Sequence, residues 1–142
     1  MPPFVVDANV VVKLLMATEQ SDAIDAMFTG WDKGGIQIVA PHHMISEVMN
    51  VLRRKVIRGA LCGQEADREF LALRVFPLAP DPLPDYRPVA WAIAKEFALT
   101  STYDAEYMAL AQVLSCDFRT ADARFIRALV PQLSSWVRSI TA

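Results

Sequence analysis

Four carboxylates, Asp7, Glu47, Asp104 and Asp122, stand 40, 57 and 18 positions apart in a chain of 142 residues. Brought to one place they would repel each other, and a small domain tolerates that only with something positive among them. Hard oxygen donors with no His or Cys partner suit Mg²⁺ or Mn²⁺ rather than zinc. Such a cation lowers the pKa of a bound water and clamps a phosphodiester during in-line attack. Asn9 and Thr120, short polar residues beside two of the acids, could hold the ligating carboxylates through hydrogen bonds. Three of the acids also have a plainer role. Asp7 and Asp122 can cap the helices that follow them, and Asp104 can complete a Ser101-x-x-Asp pattern at a helix start. Glu47 is harder to explain that way, because it precedes Val48 and Met49 inside an apolar stripe.

The elements that must position these acids alternate along the chain. Phe4-Val5-Val6 is a short apolar run ending at Asp7, the profile of a buried parallel strand. Helical rhythm covers Val10 to Met16 and Ser21 to Trp31, and Gly34-Gly35 breaks it. Ile36 to Ala40 reads as a second strand closed by Pro41. Ile45, Val48, Met49, Leu52 and Val56 then form one helical stripe, stopped at Gly59. A helix over Gln64 to Leu73 and a brief strand over Val75 to Leu78 lead into a Pro-rich loop over 77–84. Ala-rich helices are expected over Arg87 to Phe97 and Asp104 to Leu114. A strand at Phe118-Arg119-Thr120, a helix over Ala123 to Leu129 and a last strand over Trp136 to Ile140 complete the chain. Strands separated by helices imply an α/β fold of three layers, α/β/α, around a central and mostly parallel sheet. Asp7 then follows the first strand, Glu47 lies early in the helix after the second, Asp104 opens a helix and Asp122 follows the fourth strand. All four map to the carboxyl rim of the sheet, where open α/β folds gather their ligands.

At 54% hydrophobic and 21% charged residues the chain can bury a sizeable core, which excludes disorder as its main state and fits one domain over 1–142. No apolar run approaches the ~18 residues of a membrane helix. Met1-Pro2-Pro3 lacks the basic start of a signal peptide, and Cys62 and Cys116 have neither metal-type nor disulfide-framework spacing, so a reducing cytoplasm is expected. With 14 basic against 16 acidic residues, bulk charge does not advertise nucleic-acid binding. Local patches or bound cations would have to overcome the overall sign.

Four motifs follow one another across nearly the whole chain. They are Val5-Val6-Asp7-Ala8-Asn9, Ile45-Ser46-Glu47-Val48 after Pro41, Tyr103-Asp104-Ala105-Glu106-Tyr107-Met108-Ala109-Leu110-Ala111, and Thr120-Ala121-Asp122. In these the chain resembles the PIN-domain ribonucleases, especially the VapC-type toxins of toxin–antitoxin pairs; the third motif is the most specific. The resemblance implies a metal-dependent endoribonuclease. Asp7, Glu47, Asp104 and Asp122 carry over as the acidic metal-site residues, with Asn9 and Thr120 at the accompanying polar positions. It further implies RNA as substrate and a cognate antitoxin that blocks the site. The chain departs from the family at Arg119, where an apolar strand residue is usual, and at Ser115-Cys116-Asp117, more polar than the usual turn into that strand.

Arg53, Arg54, Lys55 and Arg58 lie on the helix that carries Glu47, and Arg124 and Arg127 follow Asp122. These could contact RNA phosphates, or simply form solvated helix ends where cations are favoured. His42-His43 is adjacent rather than spaced for ligation and reads as outside any metal site. Trp31, Met44, Met49 and Trp91 read as core. Val12, Leu15, Met16 and Met27 fit either core or the interface of a homodimer, the oligomeric state that the resemblance also favours. A catalytically inactive PIN-like module binding RNA or protein is the alternative reading. A phosphoacceptor signalling domain is disfavoured, because Lys13, Lys33, Lys55 and Lys95 all lie outside the late region where it needs a lysine. Without a Gly-rich phosphate loop or a Gly-x-Ser-x-Gly motif, nucleoside-triphosphatase and serine-hydrolase chemistry lack support.

Overall fold

The computed structural model describes residues 3–16, 26, 29–79, 83–120 and, as backbone, 137–139. Strand β1 (Phe4–Val6) has both valines wholly buried, as a strand covered by helices on its two faces requires. It pairs in parallel with β2 (Ile38–Val39), Phe4 opposite Ile38, and with β3 (Phe118–Thr120), Val6 opposite Arg119. Beyond β3 lies β4 (Val137–Ser139), also parallel, so the strand order among the described residues is β2-β1-β3-β4.

Helix α1 (Ala8–Leu15) leaves β1 directly, because Asp7 caps it, and so begins two residues before the expected Val10. It packs with α2 (Met44–Ile57) and α3 (Gly63–Arg74) as one helical layer. Helices α4 (Arg87–Glu96) and α5 (Thr102–Val113) pair most extensively, and α5 lies on β1 and β3. Small residues allow this: Ala105, Ala109 and Ala111 of α5 are fully buried, as are Ala90 and Ala94 of α4 to within a few per cent. The result is the three-layer α/β/α arrangement expected. Among the described residues no helix is long and apolar enough to cross a membrane.

Several expectations are corrected. The strand placed over Val75 to Leu78 is a single parallel bridge between Leu78 and Ile38, with Ala79 N–H donating to the Ile38 carbonyl at 2.8 Å. Helix α3 runs on to Arg74, Val75 caps it, and Pro77 has no N–H to offer a ladder. The strand over Ile36 to Ala40 shrinks to Ile38–Val39, since Ile36 N–H is taken by the Trp31 carbonyl at 2.9 Å in closing the helical residues 29–33. Trp91 is 61% exposed and Met49 41%, so neither is core, whereas Trp31 and Met44 are buried. Val12 is buried, and Leu15 and Met16 are partly buried against the core; Met27 lies outside the described residues. The helix over Ala123 to Leu129 and most of that over Ser21 to Trp31 also lie outside them. Arg119 fits its central strand because its guanidinium lies 5.0 Å over the Phe4 ring and meets Asp117 at 3.4 Å. Asp117 is two residues earlier, on the same face of the strand.

Candidate active site

The register of β1 on β3 builds the first half of the site. Val6 stands opposite Arg119, so the next pair along, Asp7 and Thr120, meets at the carboxyl ends of both strands. Asp7 N–H donates to the Arg119 carbonyl at 3.3 Å, and the Thr120 hydroxyl donates to Asp7 Oδ2. Asp7 Oδ1 accepts from Val10 N–H at 3.0 Å, capping α1. Both side chains are buried. The positive end of α1 favours a carboxylate here, so capping and site-building are one arrangement rather than alternatives.

Glu47 enters from the first turn of α2, which follows β2 through the buried Pro41. Its Oε1 accepts from the Tyr107 hydroxyl at 2.9 Å. Tyr107 is buried on α5, and burial first, then the adjacent Glu47 charge and its hydrogen bond, hold the phenol far above its ordinary pKa of 10.0. The hydroxyl therefore remains a donor. His43, one turn before Glu47, brings Nε2 to 3.0 Å from the same Oε1, without the alignment of a hydrogen bond. Its Nδ1 lies 3.5 Å from Glu106, which in turn sits 3.9 Å from Arg87. The imidazole stacks on Tyr103 at 4.4 Å and meets Tyr107 edge-on at 5.2 Å.

Asp104 is exposed in the first turn of α5, where Ser101 Oγ caps the helix by accepting from Tyr103 N–H at 3.2 Å. It lines one cleft of about 240 Å³ together with Asp7, Asn9, Glu47, Asn50 and Arg54. Asp7, Glu47, Asp104 and Asn9 are thus brought together as expected, with Thr120 directly behind Asp7. Asp122, Arg124 and Arg127 lie outside the described residues. Of the basic group on α2, only Arg54 lines this cleft. Arg53 lines a separate groove beside Met49 and Phe70, Arg58 caps the helix end, and Lys55 is half-buried. Helical geometry accounts for this, since 47, 50, 51 and 54 share a face and 53 does not.

Tyr107, His43, Asn50, Tyr103 and Glu106 join the site although the sequence reading assigned none of them a role in it. Spacing could have found three of them. Tyr107 is three residues after Asp104, Asn50 three after Glu47, and His43 four before Glu47. The donor chemistry of the cleft is carboxylate and amide oxygen, which fits a hard divalent cation such as Mg²⁺ or Mn²⁺. Among the described residues no three His, Cys, Asp or Glu side chains converge closely enough to hold one ion; the acids share a cleft rather than a point.

No curated protein matches the chain significantly. Among solved structures, the crystal structure of PAE2754 from Pyrobaculum aerophilum superposes with a TM-score of 0.70 at 18% identity, covering 99% of this chain and 92% of that one. At that identity the likeness concerns the fold alone. The sequence profile of the PIN domain matches residues 3–130, a span that includes Asp7, Glu47, Asp104 and Asp122. PIN domains are typically nucleases and usually use divalent metal ions. On that match the chain belongs to the PIN domain family.

Proposed function

We propose that this PIN domain is a metal-dependent endoribonuclease that hydrolyses RNA phosphodiester bonds in the cytoplasm as the toxin of a toxin–antitoxin pair. One observation carries the reading: three carboxylates from remote parts of the chain, Asp7, Glu47 and Asp104, line a single cleft at the carboxyl rim of the sheet. These acids, with Asp122, would hold Mg²⁺ or Mn²⁺. When bound, such an ion supplies positive charge against the phosphodiester and a water of lowered pKa. The chain's own groups do the positioning. Thr120 and the Val10 N–H each hold one oxygen of Asp7. Tyr107 and His43 both approach Oε1 of Glu47, which leaves Oε2 without a protein partner among the described residues. Arg54, on the wall of the cleft, offers a cation to the phosphate backbone.

The test is incubation of purified protein with mixed RNAs in Mg²⁺ or Mn²⁺. Cleavage is expected, with Asp7→Asn, Glu47→Gln, Asp104→Asn and Asp122→Asn each reducing it at least about tenfold. Full activity retained in Asp7→Asn and Asp104→Asn together would overturn these acids as the nuclease site. A homodimer, and a small antitoxin whose Arg or Lys reaches into the acidic rim, belong to the same proposal and rest on the motif resemblance. Light scattering that finds a monomer at every accessible concentration overturns the dimer.

A further inference from the structure

Tyr103 is half open to solvent, at 51% exposure. It is the second residue of α5, next to Asp104, and it lines the acidic cleft. Its ring stacks on His43 with centroids 4.4 Å apart and planes within 18° of parallel. His43 is itself held from behind. The edge-on Tyr107 ring lies at 5.2 Å, and the carboxylates of Glu47 and Glu106 lie at 3.0 and 3.5 Å from its two nitrogens. A rigid ring, backed by a second ring and exposed beside a cleft that also holds Arg54, is the combination that single-stranded nucleic-acid sites use: a flat surface for a base and a cation for the backbone.

We infer that Tyr103, backed by His43, is a stacking platform for one unpaired nucleobase of the strand whose phosphate enters the acidic cleft. The inference rests on the nuclease reading and requires the strand to carry an unpaired base where it meets the ring. A base within a duplex has both faces stacked on its neighbours and offers none to the ring. The platform binds bases by their π-faces and is therefore tolerant of sequence. Tyr103 is a positioning residue, distant in role from the acids that would handle the metal.

Binding rather than cleavage tests it. Asp7→Asn protein in Mn²⁺ is titrated against a fluorescently labelled single-stranded RNA, the same strand in a duplex, and the same strand carrying an abasic stretch, with anisotropy as the readout. Adding Tyr103→Ala is expected to weaken single-strand binding about tenfold and to leave duplex and abasic binding unchanged. Tyr103→Trp is expected to bind the single strand as tightly as the Asp7→Asn parent, which separates a lost platform from a damaged fold. Unchanged single-strand affinity in Tyr103→Ala, or an equal loss on all three ligands, overturns the platform. So does a failure of the parent to bind single strands, which would fit a ring that docks protein instead. Tyr103-dependent binding by a wild-type protein that cleaves nothing keeps the platform and overturns the nuclease. Cleavage with Tyr103-independent binding does the reverse.

Discussion

Asp7 serves two structures at once, ending β1 at the sheet rim and capping α1, and the Thr120 hydroxyl completes its surroundings. Thr120→Val keeps the shape of this fully buried side chain but removes the donor. It is expected to cost about 1–3 kcal/mol in denaturant unfolding and to lower cleavage, while Thr120→Ser retains both. Tyr107 and Cys116 are expected to weaken the fold at alkaline pH. Cys116 is buried, and burial pushes its thiol from 9.0 up to about 11, with the Asp117 charge adding to the shift. Tyr107 is raised from 10.0 by burial and by Glu47. In both cases the unfolded chain ionises first. The stability linked to Cys116 is therefore complete below pH 9.0 and is lost as pH rises toward about 11, and the loss linked to Tyr107 begins near pH 10.0. Urea unfolding between pH 8 and about 10.5 should show this decline. Cys116→Ala and Tyr107→Phe should each flatten it, and Tyr107→Phe should also reduce cleavage by freeing Glu47 Oε1.

At the scale of the elements, α2, α4 and α5 close in the same way, as do the helical residues 29–33 at Gly35. After α2, Ala60 N–H reaches back to the Lys55 carbonyl at 2.9 Å across Gly59, whose φ is +76°. After α4, Leu99 N–H reaches Ala94 across Ala98 at φ 51°; after α5, Cys116 N–H reaches Ala111 across Ser115 at φ 52°. Each central residue is left-handed, a conformation that costs a residue with a Cβ about 1–2 kcal/mol. Gly59 has open space around a would-be Cβ, so the backbone conformation alone favours glycine there. Gly59→Ala is expected to lower stability by about 1 kcal/mol, and Ala98→Gly to raise it by about 0.5–1 kcal/mol, net of the extra freedom glycine gives the unfolded chain. Thermal unfolding checks both. Gly59 could be read from the sequence as a helix stop, because glycine is the ordinary residue at that position. Ala98 and Ser115 could not, because nothing in their side chains announces a left-handed backbone.

For the whole molecule, three acids line one cleft of a chain with a formal charge of -2, and a divalent cation bound among them would offset their mutual repulsion. Mg²⁺ or Mn²⁺ at a hundredfold excess over its dissociation constant is expected to stabilise the fold by about 2.7 kcal/mol. Asp104→Asn should raise the melting temperature in EDTA and shrink the gain from metal, because it removes one charge from an exposed wall of the cleft. A wild-type melting curve indifferent to Mn²⁺, with Asp104→Asn melting lower in EDTA, is the outcome of separate helix caps that share no ion.

The sequence by itself determined the alternation of strands and helices and the arrival of Asp7, Glu47 and Asp104 at one rim. Hydrophobic period, caps and breakers act within a few residues, and chain direction in a parallel sheet does the rest. Only the tertiary structure decided what each acid touches. The Thr120 hydroxyl meets Asp7 across 113 positions and the Tyr107 hydroxyl meets Glu47 across 60, contacts that depend on strand register and on the rotation of α5 against α2. The extent of pairing at Leu78 was equally beyond local reach, since the three residues after the exposed cap Val75 leave a strand's length to be set by whatever lies alongside. Local pattern places a residue on an element; long-range packing chooses its neighbours, because side-chain direction changes by about 100° with every residue of a helix.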